Sequence, residues 1–332
     1  MPTQAGPTRP TLICCAPSQF DRARAIARLA SLTPVAIATG GPADAAAAAF
    51  PGAAIDSDAR HALATAPASI ALWLDDAAML DDPEVIDRAR ERDITLLSTE
   101  PWPSSIEAAR PVADVPHTAA PIFVPQLRAT SACADLIDAM ADLGTARTLA
   151  FTARSAPHEG SLAARLFDAM LLVQALVGLP ETIDAAHVPA DPLTAPGATP
   201  QALRGLHGDL TANLRFSARR AASITLSNSA GPWFRGLTLI AERGTVRATE
   251  HGLERFTPGG DLMDASPKRK PEADPGLHAL AAAVDRALDP RIPQPPPADF
   301  LEVLAMCHAA LLSARTGQAE PPATLLRMAT RS

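Results

Sequence analysis

Short apolar runs alternate with helix-type segments through the first 109 residues, and this alternation limits the possible folds more than any other feature. Apolar runs of this kind are typical of strands that are buried on both faces of a parallel sheet. A regular exchange of strands and helices predicts a doubly wound, Rossmann-like α/β domain. The four runs are residues 11–16, 34–38, 69–74 and 94–98.

The turn after the first run contains no glycine, since it reads Ala16-Pro17-Ser18-Gln19-Phe20. Dinucleotide-binding α/β domains carry G-x-G-x-x-G at this place, because glycine permits the tight turn and lets backbone N–H groups approach a pyrophosphate. Pro17 also lacks a backbone N–H. The sequence therefore predicts a scaffold of the nucleotide-binding type without its usual phosphate-binding loop.

The character of the sequence changes after about residue 118. An apolar helix is expected over residues 160–179, and a final helix is expected from Asp299 to Gly317. Between them polar and apolar residues alternate, which predicts antiparallel strands with one buried face. We expect a Rossmann-like domain over residues 1–118 and a C-terminal α+β domain with a mostly antiparallel open sheet over residues 119–332. The alternating stretches are residues 210–217, 223–227, 237–241 and 245–249.

Composition argues against several functional classes. The net charge of −7 disfavours a nucleic-acid partner or an anionic membrane surface. No uncharged apolar run approaches the ~20 residues that a membrane span needs, and the first residues have no signal-peptide pattern, so we expect a cytoplasmic protein. The four cysteines form no C-x-x-C pair and the eight histidines have no metal-ligand spacing, so no metal site is expected.

Three stretches of the chain resemble the Gfo/Idh/MocA family of NAD(P)-dependent oxidoreductases. Residues 94–109 look like the family's strand that ends in Glu-Lys-Pro before a helix rich in Glu and Ala. Residues 159–180 look like its glycine-led helix ending in Leu-x-Gly-x-Pro, and residues 300–321 look like its terminal helix with Ser-Ala-x-x-Gly in the last turn. The resemblance implies a Rossmann domain followed by an α+β domain whose open sheet often serves oligomerisation.

The functional positions of the family are occupied by other residues. Its Glu-Lys-Pro falls on Thr99, Glu100 and Pro101, so a carboxylate replaces the lysine that holds the substrate hydroxyl beside the nicotinamide. Its Asp-x-x-x-His pair falls on Ala164 and Asp168, so the usual general base is missing. The acid that would hold the adenosine ribose falls near Thr39 and Gly40. The resemblance thus leaves no catalytic residue at the family positions, and we expect no NAD(P) cofactor.

Glu100 and Asp168 offer an alternative acid-base pair. A carboxylate can act as a general base, and two neighbouring carboxylates raise one pKa. Neither can supply the positive charge that stabilises a developing alkoxide. In the structural interpretation, Glu100 caps a turn or faces solvent, and Asp168 pairs with an arginine such as Arg165. His158, just before the helix at 160–179, is a further candidate, with a surface role as its alternative.

Three residues are candidates for binding a ligand. Asp75 and Asp76 follow the third apolar run, at the edge where ligands sit in open α/β sheets, and they could bind a cationic or hydroxylated ligand. Their alternative is a solvated loop or a helix N-cap. Trp102, between two prolines, could stack on a ring or sugar, or pack between the domains.

The leading hypothesis is a relative that has lost dehydrogenase activity and acts in binding or as a non-catalytic partner subunit. Its C-terminal sheet would join it to further copies or to an active paralogue. One alternative is an active NAD(P)-dependent oxidoreductase acting on a sugar, polyol or similar hydroxy substrate through a rebuilt site. Others are a non-redox acid-base enzyme using Glu100 and Asp168, and a sensor that binds a small molecule.

Overall fold

The computed structural model describes residues 9–74, 78–109, 120–190, 203, 206–266, 273–292 and 298–331. The chain divides into two compact units. Unit 1 comprises Met1–Ser104, Ala108–Pro125 and Leu277–Pro293, and unit 2 comprises Ser105–Glu107, Gln126–Gly276 and Gln294–Ser332.

Unit 1 is built on a six-stranded parallel sheet. Its strands are β1 (Arg9–Cys14), β2 (Leu32–Ala38), β3 (Ala54–Asp56), β4 (Ile70–Trp73), β5 (Thr95–Ser98) and β6 (Ile122–Phe123). Their order in the sheet is β3-β2-β1-β4-β5-β6. The strand order therefore reverses between β1 and β4, as in a Rossmann fold, which confirms the predicted class of the first half.

One helix of this half, α4 (Pro83–Glu91), begins where the sequence supplies start signals. For α4, the Asp82 side chain accepts a hydrogen bond from the Glu84 N–H, and Pro83 occupies the first helical position. The strands β3 and β6 were not predicted, because three and two residues are too few to show a period. The helices are α1 (Phe20–Leu29), α2 (Ala43–Ala49), α3 (Ala59–Thr65), α4 (Pro83–Glu91) and α5 (Ile106–Ala109).

Unit 2 contains an eight-stranded sheet. Its strands are β7 (Ala146–Arg154), β8 (Thr182–Pro189), β9 (Gly208–Phe216), β10 (Arg220–Ser227), β11 (Phe234–Ala241), β12 (Gly244–Thr249), β13 (Gly252–Phe256) and β14 (Leu262–Ala265). They lie in the order β14-β13-β12-β11-β7-β10-β9-β8. Only the β7–β10 pair among them is parallel, which confirms a mixed, mostly antiparallel sheet.

One face of this sheet is covered by helices and the other is open. The strand β9 shows the division, since Ala212 and Leu214 are buried whereas Thr211 and Asn213 are exposed. The helices α6 (Ser131–Leu143), α7 (Leu162–Leu176) and α9 (Phe300–Thr316) pack on the buried side. We call the opposite, solvent-exposed side the open face.

The termini of α9 agree with the predicted Asp299-to-Gly317 segment. The Asp299 carboxylate accepts a hydrogen bond from the Glu302 N–H, and Gly317 ends the helix with a φ of 68°. Pro322 then starts a separate helix, α10 (Pro322–Arg331), that was not predicted. Within the described ranges, none of the helices has the length and apolar character needed to cross a membrane.

A helix from the C-terminal half belongs to unit 1. The helix α8 (Pro275–Leu288) places Leu280 and Val284 in the same buried cluster as Ile13 and Leu72 of the parallel sheet. The sequence analysis assigned all of 119–332 to the second domain, and the structure differs over Leu277–Pro293. The reason is that an apolar helical stripe does not show which core it will join. The predicted boundary at residue 118 lies outside the described residues.

Candidate functional site

The loop after β1, residues 15–20, takes the place of a phosphate-binding turn, and we call it the β1 loop. It forms a 3-10 turn over Pro17–Gln19 and leads directly into α1. The Gln19 Oε1 accepts a hydrogen bond from the Ala16 N–H at 3.2 Å, and its Nε2 donates to the Leu74 carbonyl at 2.8 Å. Leu74 immediately follows β4, so this one side chain connects the ends of the two strands between which the order reverses.

Most backbone donors of the β1 loop are used inside the protein. The Cys15 N–H donates to the Ala38 carbonyl at 3.1 Å, and the Gln19 N–H donates to the Ala16 carbonyl at 2.9 Å. The Phe20 N–H donates to the Pro17 carbonyl, and Pro17 has no N–H of its own. A pyrophosphate cradle needs several N–H groups aimed at the ligand. The β1 loop therefore does not fit a dinucleotide in the manner of a glycine-rich turn.

The end of β2 offers no carboxylate for a ribose. Thr39 is buried, its N–H donates to the Asp56 carbonyl at 3.0 Å, and its hydroxyl accepts from the Gly41 N–H at 3.3 Å. A Cβ on Gly41 would lie 2.1 Å from the Pro17 Cγ, so the proline ring fills the space beside this glycine. At the position predicted from the resemblance, Thr39 is thus buried and Gly40 is exposed, and the neighbouring Gly41 packs against the β1 loop.

An Asp–His pair lies at the end of β3. The Asp56 Oδ2 and the His61 Nδ1 are 2.5 Å apart on the surface of the protein. The backbone N–H of Asp58 and then the His61 side chain lower the pKa of Asp56. The hydrogen bond that the His61 ring donates to the Asp56 carboxylate raises the pKa of His61. Asp56 and His61 thus form a surface ion pair when the histidine is protonated, and this pair was not predicted from the sequence.

Glu100 and Trp102 follow β5 in unit 1. The Ser98 hydroxyl accepts from the Glu100 N–H at 3.1 Å and donates to the Glu100 carbonyl at 2.8 Å, so this backbone is fixed while the residue stays half-buried. Trp102 is only 3% exposed, and its indole N–H donates to the Leu80 carbonyl at 2.7 Å. The structure thus shows Trp102 in a packing position, and its role in stacking on a ligand stays a prediction.

Asp168 lies in the interior of unit 2. It is 1% exposed and sits one turn after Ala164 on α7. Its Oδ1 accepts from the Leu127 N–H at 2.8 Å, and its Oδ2 accepts from the Arg235 Nη1 at 2.6 Å. Arg165 was named in the sequence analysis as an example of the pairing arginine, but it donates instead to the Ser155 hydroxyl and the Glu159 carbonyl.

The buried charge cluster, as we call it, comprises Arg165, Asp168, Trp233, Arg235 and Glu250. Glu250 accepts from Arg235 Nε at 2.8 Å, again from its Nη2, and from the Trp233 indole N–H. The Arg165 guanidinium lies 4.0 Å from the Trp233 ring centroid. Burial opposes the charge of Arg235, but Glu250 and Asp168 raise its pKa above the ordinary value. Two cations and two carboxylates balance, as a buried ionic group requires.

The cluster restricts what Asp168 can do chemically. A general base must present a lone pair within hydrogen-bond reach of the substrate hydroxyl, and Asp168 is only 1% exposed. Both Asp168 oxygens already accept from a backbone amide and a guanidinium, and a guanidinium does not give up its proton in proteins. These contacts lie within unit 2, and a pairing of Asp168 with Glu100 of unit 1 stays a prediction.

The sequence analysis missed Arg235, Trp233 and Glu250. Arg235 is 67 residues from Asp168, so no local spacing links them. One signal was present in the sequence. Arg235 lies on the same inward-facing side of β11 as Leu237 and Leu239. A charged residue at such a position requires a buried counter-ion.

The remaining candidates are placed as follows. His158 is exposed in the 3-10 turn Pro157–Glu159 before α7. Asp75 and Asp76 lie outside the described residues. The described part of the chain contains no group of three or more His, Cys, Asp or Glu side chains that could hold a metal ion. Burial, and then Asp168, raises the pKa of Cys133 to about 12, so this thiol is not a nucleophile at neutral pH.

No protein-family model matches the sequence, and no curated protein matches it either. Solved structures do match in fold. An oxidoreductase from Agrobacterium radiobacter, in complex with NAD+, L-tartaric acid and magnesium, has a TM-score of 0.67 and 16% identity, over 96% of this chain and 99% of that one. Levoglucosan dehydrogenase with NADH and levoglucosan has a TM-score of 0.67 and 12% identity, over 95% and 99% of the two chains.

GenD2 from gentamicin A biosynthesis, in complex with NAD, gives a TM-score of 0.68 and 14% identity, over 96% of this chain and 97% of that one. Sequence identities this low show similarity of fold. The chain has the fold of NAD-binding oxidoreductases of the Gfo/Idh/MocA type.

Proposed function

We propose that this chain retains the oxidoreductase fold without dehydrogenase activity, and that it acts in binding or as a non-catalytic subunit, in the cytoplasm. The observation that carries the proposal is that Asp168 accepts hydrogen bonds from Leu127 and Arg235 inside unit 2. The residue at the position of the family's general base is neutralised by Arg235 inside the buried charge cluster. A carboxylate that is 1% exposed and paired with a guanidinium is poorly placed to take a proton from a substrate.

The chemistry of alcohol oxidation supports this conclusion. Transfer of a hydride from a carbon bearing a hydroxyl requires a base for the hydroxyl proton and a positive group near the oxygen. At the family positions stand Glu100, Ala164 and Asp168. Neither carboxylate supplies a positive charge, and Asp168 has both oxygens engaged. The expected activity toward sugars and polyols is therefore nil.

The β1 loop supports the absence of a cofactor. The Gln19 side chain accepts a hydrogen bond from the Ala16 N–H. Pro17 packs on Gly41, near the end of β2 where a ribose would approach. The three solved neighbours named above are complexes with NAD+, NAD or NADH. In this chain we expect neither NAD nor NADP to bind.

The open face of unit 2 is the surface proposed for assembly. Its exposed positions across the central strands are mostly small or polar, and Phe234 and Ile240 on β11 are 37% and 43% exposed. A two-fold contact between identical sheets is self-complementary, so it suits a homo-oligomer. An active paralogue with the same fold would present a matching sheet. One row across the face is Asp184, Asn213, Ser223, Ala150, Thr238, Arg247 and Glu254.

The fold similarity favours one second candidate, an active oxidoreductase on a hydroxy substrate with a rebuilt site. Levoglucosan in one neighbour and L-tartaric acid in another are hydroxylated ligands. In that case Glu100 or His158 would have to act on the substrate, and a cation would have to come from elsewhere in the chain.

Calorimetric titration of the full chain with NADH and NADPH tests the proposal. We expect no heat of binding at cofactor concentrations up to ~1 mM. Binding with a Kd as weak as ~1 mM would still be detectable under these conditions. Incubation with NAD+ or NADP+ and a panel of sugars, polyols and hydroxy acids should produce no absorbance of reduced cofactor. Micromolar binding together with turnover would overturn the proposal and establish the second candidate.

A further inference from the structure

Two contacts of the Gln19 side chain bear on whether the β1 loop can bind an anion. Its Oε1 is an acceptor for the Ala16 N–H at 3.2 Å, which is the same kind of bond that a phosphate oxygen makes to a loop amide. We propose that the Gln19 carboxamide is an internal ligand of the β1 loop and competes with any dinucleotide for it. This inference deepens the proposed absence of a cofactor, because it names the group that takes the cofactor's place.

The second contact fixes this ligand across the strand reversal. The Gln19 Nε2 donates to the Leu74 carbonyl at 2.8 Å, and the Leu74 N–H donates to the Cys14 carbonyl at 2.9 Å. Ligands of open α/β sheets bind in the crevice at the point where the strand order reverses. The carboxamide therefore lies at that crevice, held by a donor from the β1 side and an acceptor from the β4 side.

Pro17 ties the other side of the loop. Its ring approaches Gly41 so closely that a Cβ on that glycine would lie 2.1 Å from the Pro17 Cγ. The ring also fixes φ and removes a possible donor. The loop is thus fastened toward β2 by Pro17 and toward β4 by Gln19. Opening it for a dinucleotide requires release of the Gln19 side chain, and restoring a donor requires replacement of Pro17.

The full chain provides the test, with NADH as the probe and two readouts. The first is amide hydrogen exchange at Ala16 by NMR in wild type, Gln19→Ala and Gln19→Glu. We expect exchange roughly tenfold faster in Gln19→Ala, since one hydrogen bond is lost, and near the wild-type rate in Gln19→Glu, which keeps the acceptor. The second is NADH binding, expected to be undetectable in wild type at ~1 mM cofactor and detectable in Pro17→Gly/Gln19→Ala, with an affinity gain of roughly tenfold or more.

Gln174→Ala is the matched control. The Gln174 Nε2 donates to the Asp299 carbonyl at 3.1 Å and to the Glu302 Oε2 at 2.8 Å, so the same type of side chain is removed from unit 2. This variant should change neither the Ala16 exchange rate nor the NADH affinity. Near-ultraviolet circular dichroism checks that every variant is folded.

Two outcomes would overturn the inference. Unchanged Ala16 exchange in Gln19→Ala would show that the carboxamide is no ligand of the loop. Equal NADH affinity in wild type and in the double variant would show that nothing competes. If the variants do not fold, hydrogen exchange of the Gln19 side-chain NH2 group in the wild-type protein tests the inference instead. Protection from exchange supports the inference and exchange at the solvent rate overturns it. Turnover of a hydroxy substrate by wild type would overturn the proposed function only, because the exchange readout is independent of activity.

Discussion

At the scale of single residues, the buried charge cluster shows how polar side chains in the interior of unit 2 satisfy one another. Asp168 and Glu250 both accept from Arg235, and Trp233 donates to Glu250. Such groups stabilise a fold only while each has its partners, because an uncompensated buried charge costs several kcal/mol. The cluster therefore makes Arg235 more important for stability than its single position in β11 would indicate.

Arg235→Met should destabilise the protein strongly, because it removes the guanidinium that donates to both Asp168 and Glu250. We expect the free energy of unfolding to fall by roughly 3–5 kcal/mol, measured by urea denaturation. Arg215→Met is the matched control, since Arg215 lies exposed on β9, and its effect should stay within about 0.5 kcal/mol. Similar losses in the two variants would contradict the assigned role of Arg235.

The Asp56–His61 pair predicts a pH dependence of stability. The pKa of His61 is raised above its ordinary 6.5, so its contribution is complete below pH 6.5 and is lost as pH rises through the folded-state pKa. The pKa of Asp56 is lowered below 3.8, so its contribution is present above pH 3.8 and is lost as pH falls through the folded-state pKa. The stability difference between wild type and His61→Gln should therefore be largest between pH 3.8 and 6.5 and shrink above pH 6.5.

Thermal unfolding of both proteins across this pH range gives the measurement. His251→Gln, at an exposed histidine in the turn between β12 and β13, is the control for removal of a surface imidazole. A difference between wild type and His61→Gln that does not vary with pH would count against the ion pair.

At the scale of elements, regular patterns and capping signals were readable from the sequence. The apolar runs gave β1, β2, β4 and β5, and the capping residues gave both ends of α9. The short strands β3 and β6 carried no period, and β8, β13 and β14 were also missed. Asp168 was singled out only through the resemblance, and its partner Arg235 depends on tertiary packing that no local rule encodes.

The register between β8 and β9 depends on Gly208. Its φ of +115° is unfavourable for other residues, and a Cβ there would lie 2.1 Å from the Val188 carbonyl oxygen. We expect Gly208→Ala to cost about 1–3 kcal/mol from the backbone conformation alone, and more from the clash. Gly40→Ala is the control, because a Cβ on Gly40 would have no heavy atom within 4 Å. Equal melting temperatures for these two variants would contradict the assigned strain.

At the scale of the whole molecule, the open face is the surface through which we propose that copies of this chain associate. An eight-stranded sheet covered by helices on one side exposes its other side to solvent. Ile240 lies on this face and is 43% exposed, so it would be covered in the proposed contact. The proposed assembly therefore depends on this surface.

Ile240→Arg should weaken association by placing a charge within the proposed contact. Light scattering after size exclusion should show wild type as a dimer or larger and the variant with reduced mass. Ile137→Arg is the matched control on α6, since Ile137 is 39% exposed and Ile240 is 43% exposed. A wild-type protein that is monomeric in isolation and in cell extract would refute assembly through the open face.

Because α8 belongs to unit 1 although it follows most of unit 2 in sequence, the two units are constrained in how they can evolve. The chain passes between the two units more than once, so no single cut separates them. A gene fragment that ends before residue 277 would encode a parallel sheet without the Leu280 and Val284 side chains of its own core. Recombination could not exchange the N-terminal half as a cassette unless it also carried this distant helix, so the two halves are expected to have diverged as one gene.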